Sequence, residues 1–516
     1  MSASREKKTR AGASGSQGQA HKEAESNRRR HILYGVAGGI VAVLAIALLV
    51  WDSGFFQKRA TAVTIDGESY GPAVVQYYYQ TAYNSAYYSS TMGTGPSFDT
   101  SVDAADQVYD KETGQTWRDY LLEQAIDDLT QVTALCHAAE AEGYTLPAED
   151  QAYMESELAS LDQAWRSSGT YASLGSYLRV NYGSYMDEDT FRSLYYDQVL
   201  ASSYREHYQD SLTYTDEETE SYYSEHTNDL DTFTYSVFTV RATVEEQTDE
   251  EGNPVEMTEE ETQAAFDTAK AEAQTLAQTI QSRLAAGEDA QSLADEYADQ
   301  LFNSYVHTSG LGSTLSSAQY ADWLYDSARQ SGEVTIAEND GSDSNTYTYY
   351  VVQFDSRARD DSATADVRHI FISAGSSPTE EDFTAAQEKA QALLDQWQAD
   401  SATEEDFAVL AVQNSEDSGS QASGGLYTGI SATASWDPNF LAWCLDPARQ
   451  TGDTGLVKNE TSQLQGWHVL YFVGWDDPYW AYTIKSTWKE EDTSQWLSSL
   501  TEGMEADRGS GLDYVS

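Results

Sequence analysis

The sequence predicts an α+β protein with one N-terminal transmembrane helix, a mostly helical region after it, and then two tandem copies of one α+β domain. Three observations carry this. Residues 32–51 run for 20 positions without a charge. From Trp117 onward, Leu121, Leu122, Ala125, Ile126, Leu129, Val132, Leu135, Cys136 and Ala139 recur at the three- and four-residue steps of an amphipathic helix. The chain also aligns with itself at an offset of 120 residues.

Residues 1–31 carry eight Lys or Arg against three acids, so this basic tail is +5 while the rest of the 516-residue chain is −61, within a net charge of −56. The uncharged run 32–51 is long enough as a helix to cross about 30 Å of hydrocarbon. Arg28, Arg29 and Arg30 precede it. The positive-inside rule then places the tail in the cytoplasm and the body outside, a single-pass cell-membrane protein with an extracytoplasmic C-terminal body. The alternative is a cleaved signal peptide with Ala60-Thr61-Ala62 as its small-residue site, although the apolar run exceeds a typical h-region and the site lies well beyond it. So acidic a body excludes duplex nucleic acid as a partner, because phosphate affinity needs clustered cations. The two cysteines, Cys136 and Cys444, exclude a disulfide framework, and the dispersed acids form no calcium loop. The expectation is no cofactor and no metal.

Residues 60–228 read as the helical region. A short strand, 62–66, turns at Gly67 into a Tyr-rich helix, 85–106 reads as a loop rich in Ser, Thr and Gly, Pro147 opens a further helix, and Thr215 with Glu218 forms a capping box. Cys136 lies on an apolar stripe and reads as a buried, inert thiol. The repeat follows. Trp323, Asp326, Ala328, Arg329, Gln330 and Gly332 recur as Trp443, Asp446, Ala448, Arg449, Gln450 and Gly452. Each segment has the same flanks: strand, long helix, second helix and Gly-Leu turn before it, and a strand after it. These lie at 233–240, 261–286, 290–300, Gly310-Leu311 and 347–354 in the first copy, and at 367–372, 380–398, 404–414, Gly425-Leu426 and 466–473 in the second. The domains are therefore 229–357 and 364–475. Two copies are too few for a solenoid. Residues 479–516 carry Trp488, Trp496, Leu497 and Leu500 at partly helical spacing and form a last helix.

The second copy resembles the parvulin-type peptidyl-prolyl isomerase domain. Val367-Arg368-His369-Ile370-Phe371-Ile372 is similar to its first strand. Phe407 to Ala411 with Ser415-Glu416-Asp417-Ser418-Gly419-Ser420 is similar to its middle helix and loop, and Gly466-Trp467-His468-Val469-Leu470 to its last strand. With the helical region before it, the chain resembles extracytoplasmic foldases of the PrsA/SurA type, which makes 60–228 chaperone-like. The resemblance implies a parvulin-like fold for both copies, a small antiparallel sheet flanked by helices, with His369, Asp417 and His468 as catalytic residues, Leu426, Trp436 and Phe440 as lining of the proline pocket, and a C-terminal helix packed on the N-terminal region. It departs from the family at Trp436, where Met is usual, and at Gly425-Leu426-Tyr427-Thr428, where the family has Gly-Asp-Leu-Gly.

The implied partners are unfolded or partly folded secreted polypeptides with X-Pro bonds, and the oligomeric state stays open. The implied activity is foldase-type cis/trans isomerisation. The alternative is a membrane-anchored holdase that binds unfolded chains without catalysis. In the first copy Val237 and Tyr350 stand where the second has His369 and His468, so this copy is expected to be a catalytically silent spacer or polypeptide-binding module.

Overall fold

The structure is a computed structural model that describes residues 41–43, 45, 54, 57–244, 257–303, 305–339, 346–399, 402–460 and 465–516. The expected transmembrane helix is corrected here. Among the described residues no helix is long and apolar enough to cross a membrane. Of residues 32–51 only Val41, Ala42, Val43 and Ala45 are described, and the rest of that segment and the basic tail lie outside. The expected single-pass fold class, membrane anchor and cell-membrane localisation rest on that run, whereas the long helices that are described alternate charged and apolar positions, as helices packed on one face do.

The elements run β1 (Val63–Ile65), β2 (Glu68–Tyr70), α1 (Pro72–Met92), α2 (Trp117–Glu142), α3 (Ala148–Ser168), α4 (Leu174–Tyr182), α5 (Glu188–Ser211), α6 (Asp216–Glu225) and α7 (Thr227–Leu230). The first copy supplies β3 (Thr232–Ala242), α8 (Glu259–Ala285), α9 (Ala290–Glu296), β4 (Val306–Leu311), α10 (Ala321–Tyr325), β5 (Val334–Asn339) and β6 (Tyr347–Ala358). The second supplies β7 (Ala363–Ser373), α11 (Glu380–Ala399), α12 (Glu404–Asn414), β8 (Leu426–Ile430), α13 (Pro438–Cys444), β9 (Thr454–Asn459) and β10 (Gly466–Pro478). The chain ends in α14 (Tyr479–Thr501) and β11 (Ala506–Arg508).

Contacts divide these into two compact units. One holds the described residues up to Thr145 with Leu158–Tyr204 and Leu497–Ser516; the other holds Leu146–Glu157 and Arg205–Trp496. In the first, β1 lies between β2 and β11, and its buried Val63 and Ile65 pack with Val75, Leu121, Ala125 and Leu129 of α1 and α2. The chain end is held there by a reciprocal pair, Gln76 Nε2 donating to the Ser516 carbonyl and Ser516 N–H donating to Gln76 Oε1, each at 2.8 Å. α1 runs through Met92, further than the loop reading of 85–106 allows. Its Ser and Thr residues stay helical by turning hydroxyls back on the preceding turn, as Thr91 Oγ1 does to the Tyr87 carbonyl at 2.6 Å.

In the second unit, Thr215 and Glu218 form the expected capping box at the start of α6. Leu230 and α6 receive Trp480, Ala481 and Ile484 of α14, and the Trp496 ring stacks on Tyr208 with centroids 3.7 Å apart. The two copies have sheets of the same order, β4-β3-β6-β5 and β8-β7-β10-β9, all antiparallel. The edge strands were not expected from the sequence. They are only five or six residues long, and β8 has Gly429, at a φ of +64°, in its fourth position.

The repeated Trp…Arg motif is the same latch twice. Arg329 lies over the Trp323 ring at 4.4 Å and donates from Nε to the Trp323 carbonyl at 3.2 Å. Arg449 lies over Trp443 at 4.2 Å and donates to its carbonyl at 3.1 Å. Gly332 and Gly452 then donate N–H to the Phe354 and Phe472 carbonyls at 2.8 and 2.9 Å, tying each latch to its long central strand. Cation–π contact and a charge-assisted hydrogen bond are both lost in Arg449→Ala or Arg329→Ala. Each variant should lose about 1–3 kcal/mol of stability, read as a lower urea midpoint, with Arg→Lys recovering only part.

Candidate active site

The second sheet has two unlike faces because side chains alternate along each strand. Ile370, Ile372, Val469 and Tyr471 pack under α11 and α12. Ala365, Val367, Leu470 and Phe472 face the other way, onto Phe440, Cys444 and Val457. His369 and His468 belong to this second face and are 2% and 8% exposed. Across the β7–β10 pair, His369 lies opposite Leu470 and His468 opposite Phe371, so the imidazoles are diagonal neighbours.

They meet at 3.1 Å, Nδ1 to Nδ1. His468 Nε2 is 3.3 Å from Asn459 Nδ2 on β9, while His369 Nε2 is 2.8 Å from Ser420 Oγ and 3.1 Å from Asp417 Oδ2. The Ser420 and Tyr427 hydroxyls donate to the same Asp417 oxygen at 2.6 and 3.0 Å. One proton arrangement satisfies every group. The Asn459 amide donates to His468 Nε2, His468 Nδ1–H to His369 Nδ1, and His369 Nε2–H to Ser420 and Asp417.

Burial pushes the His468 imidazole down to about 3, with His369 acting in the same direction and Asp417 opposing. The His369 N–H beside it, and then the Ser420 and Tyr427 hydroxyls, hold the Asp417 carboxyl well below the usual carboxylate range against its own burial.

Local structure places Asp417. Ser415 Oγ accepts the Phe371 N–H at 3.1 Å and Glu416 N–H donates to the Phe371 carbonyl at 2.8 Å, so the loop after α12 is stitched to β7 beside His369. Gly425 brings β8 in: its carbonyl accepts the His369 N–H at 2.8 Å, its φ is +75°, and a Cβ there would sit 2.2 Å from the His369 carbonyl oxygen.

Above the imidazoles is a cleft of about 340 Å³ walled by Phe371, Tyr427, Ser435, Trp436, Asp437, Phe440 and Asn459, with His369, His468 and Asp417 also in its lining. Phe440 is edge-on to His468, centroids 5.0 Å apart. Trp436, 40% exposed, leans on Tyr427 and Phe440 at 4.9 and 5.5 Å. Five of the six residues singled out from the sequence thus converge: His369, His468, Asp417, Trp436 and Phe440. Leu426 does not line the cleft. It lies opposite Arg368, on the helix-covered face, and the next residue, Tyr427, opposite Val367, takes the place expected of it. Tyr427, Ser420, Phe371 and Asn459 were missed. Alternation along β8 points to Tyr427, whereas Asn459 is brought in by the β9–β10 pairing alone.

Residues 349–470 match the family pattern described as the PPIC-type PPIASE domain. The chain carries a PPIC-type PPIase domain. The match begins at Tyr349 in β6, inside the first copy, and ends at Leu470 in β10. A comparison with curated proteins found no match. Two solved structures are similar in part. One is the peptidylprolyl isomerase PrsA from Bacillus anthracis, 20% identical, over 28% of this chain and 58% of that one, with a TM-score of 0.18. The other is the foldase protein PrsA from Streptococcus pneumoniae, 12% identical, over 60% of this chain and 96% of that one, with a TM-score of 0.19. The chain thus spans 58% of the length of the Bacillus anthracis protein it matches.

The first copy holds the same backbone without this floor. Tyr350 pairs with Ala337 and Thr239 as His468 pairs with Val457 and Phe371, and Val237 lies two residues before Thr239 as His369 lies two before Phe371. Tyr235, Tyr320 and Tyr350 occupy the space, with the Tyr320 ring 5.8 and 5.7 Å from the other two.

His468 and Asp417 both hold their protons less tightly folded than unfolded. These two groups therefore bind fewer protons in the native domain than in the unfolded chain once pH falls below about 6.5, and the stability they contribute is lost as pH falls from there toward about 3. Thermal midpoints measured from pH 7 to pH 4 should fall for the wild type and fall less steeply for His468→Phe.

Proposed function

We propose that the chain is a peptidyl-prolyl cis-trans isomerase acting on unfolded or partly folded polypeptides with X-Pro bonds, and that His369, Asp417 and His468 form its catalytic floor. Secreted polypeptides are the clients that the resemblance to foldases implies. The observation that carries the reading is the continuous chain from Asn459 through both histidines to Asp417, lying at the base of an aromatic cleft inside a PPIC-type PPIase domain.

Rotation about an X-Pro bond breaks no covalent bond. The barrier of about 18–20 kcal/mol comes from amide resonance, and uncatalysed exchange takes tens to hundreds of seconds. The cleft need only hold the prolyl ring, keep out water that stabilises the planar amide, and present fixed dipoles to the twisted one. Phe440, Trp436 and Tyr427 supply an apolar wall for the ring. The buried imidazoles, locked by their hydrogen bonds, form a floor that needs no reorganisation as the amide twists. Asp417 sets the field beside the rotating carbonyl.

A second reading is a holdase, which rests on the 40% exposed Trp436 at the cleft mouth and on the tyrosine-filled first copy. Non-catalytic binding asks for an exposed aromatic surface and no histidine floor. An isomerase assay on the protein with an Ala-Leu-Pro-Phe peptide separates the two. The wild type should accelerate exchange, and His369→Ala or His468→Ala should each lose about ten-fold or more in kcat/KM, a loss of at least about 1.4 kcal/mol of transition-state stabilisation. The double variant should retain nothing above background, since the first copy is proposed to be silent. A wild-type rate equal to background leaves the holdase.

A further inference from the structure

The side-chain donors that reach the Asp417 carboxylate all end on one oxygen. His369 Nε2, Ser420 Oγ and Tyr427 Oη lie 3.1, 2.6 and 3.0 Å from Oδ2, and among the described residues no donor reaches Oδ1. His369 and Ser420 approach from β7 and from Asp417's own loop. Tyr427 comes from β8, across the cleft wall, so it fixes the carboxylate from the side where a substrate would lie. We propose that Tyr427 is a positioning residue of the isomerase site: its hydroxyl holds Asp417 Oδ2 so that Oδ1 is left to the cleft, while its ring forms the cleft wall with Trp436.

Each part has an observation behind it. The phenol is half-buried, with its ring centroid 5.1 Å from that of His369 and 4.9 Å from that of Trp436. Burial and then the Asp417 charge push it up to about 12, so the hydroxyl stays a donor through the neutral range. A hydroxyl at this depth without an acceptor would be costly, and Asp417 is the acceptor within reach. A leucine or phenylalanine would serve the wall equally well. The hydroxyl is explained only by the carboxylate. Without it, Asp417 keeps two donors, one on β7 and one in its own loop, and can swing toward the cleft.

The inference rests on the isomerase reading, and the test separates the two. Tyr427→Phe keeps the wall and removes the hydroxyl. In the full-length protein it should lower kcat by about three- to ten-fold with KM little changed, as one charge-assisted hydrogen bond is worth. The Asp417 carboxyl, followed by carbon NMR, should titrate at higher pH in the variant, its proton affinity rising by a similar factor. Unchanged kcat overturns the proposal, and so does a loss of kcat with the Asp417 titration unmoved. A matching thermal midpoint for the variant checks that it folds. An inactive wild type removes the isomerase reading itself, and this proposal with it, whereas an active wild type with an unaffected variant removes this proposal alone.

Discussion

The antiparallel register of β7 against β10 is the constraint on which the site depends. His369 opposite Leu470 and His468 opposite Phe371 bring two imidazoles to 3.1 Å on one face of the sheet. A slip of one residue in either strand would turn its imidazole into the helix-covered core, where Ile370 and Val469 now sit. Two buried rings are tolerated because every nitrogen has a partner: beyond each other, those partners come from β9 and the loop after α12, whose Asp417 is held in turn by Tyr427 of β8. The register thus recruits Asn459, Ser420, Asp417 and Tyr427 as the means of paying for its own buried polarity.

The internal repeat separates what the fold needs from what the site needs. Both copies keep the Arg-over-Trp latch, the glycine that ties it to the central strand and the sheet order. Only the second keeps the histidines. In the first, Val237 and Tyr350 occupy equivalent register positions, and tyrosine rings fill the volume that the second copy leaves open. The same sheet order therefore forms with and without the histidine pair.

Much of this was legible in the chain. The 120-residue offset gave both copies, their long helices and their central strands, because periodic apolar positions and an Arg/Trp motif are local signals. His369, His468 and Asp417 stood out by resemblance, and they lie within hydrogen-bonding distance in a network. Leu426 was misplaced by one position, which on a strand is a whole face, and only the pairing of β8 with β7 assigns Tyr427 to the cleft. The loop expected at 85–106 begins later because hydroxyl side chains can bond within a helix as well as in turns. The apolar run at 32–51 suggested a membrane span, yet no described helix has that character.

Composition, periodicity and repetition by themselves determined that the chain is acidic, largely α+β, duplicated, and equipped with two histidines in one copy only. Those properties depend on residues close in sequence or repeated along it. Tertiary structure alone decided which face each strand residue presents, which oxygen of Asp417 is held, and that Asn459 and Tyr427 complete the network. The physical reason is that hydrogen bonds between strands are made by residues far apart in the chain, and a side chain's surroundings follow from the pairing register, which no local pattern encodes.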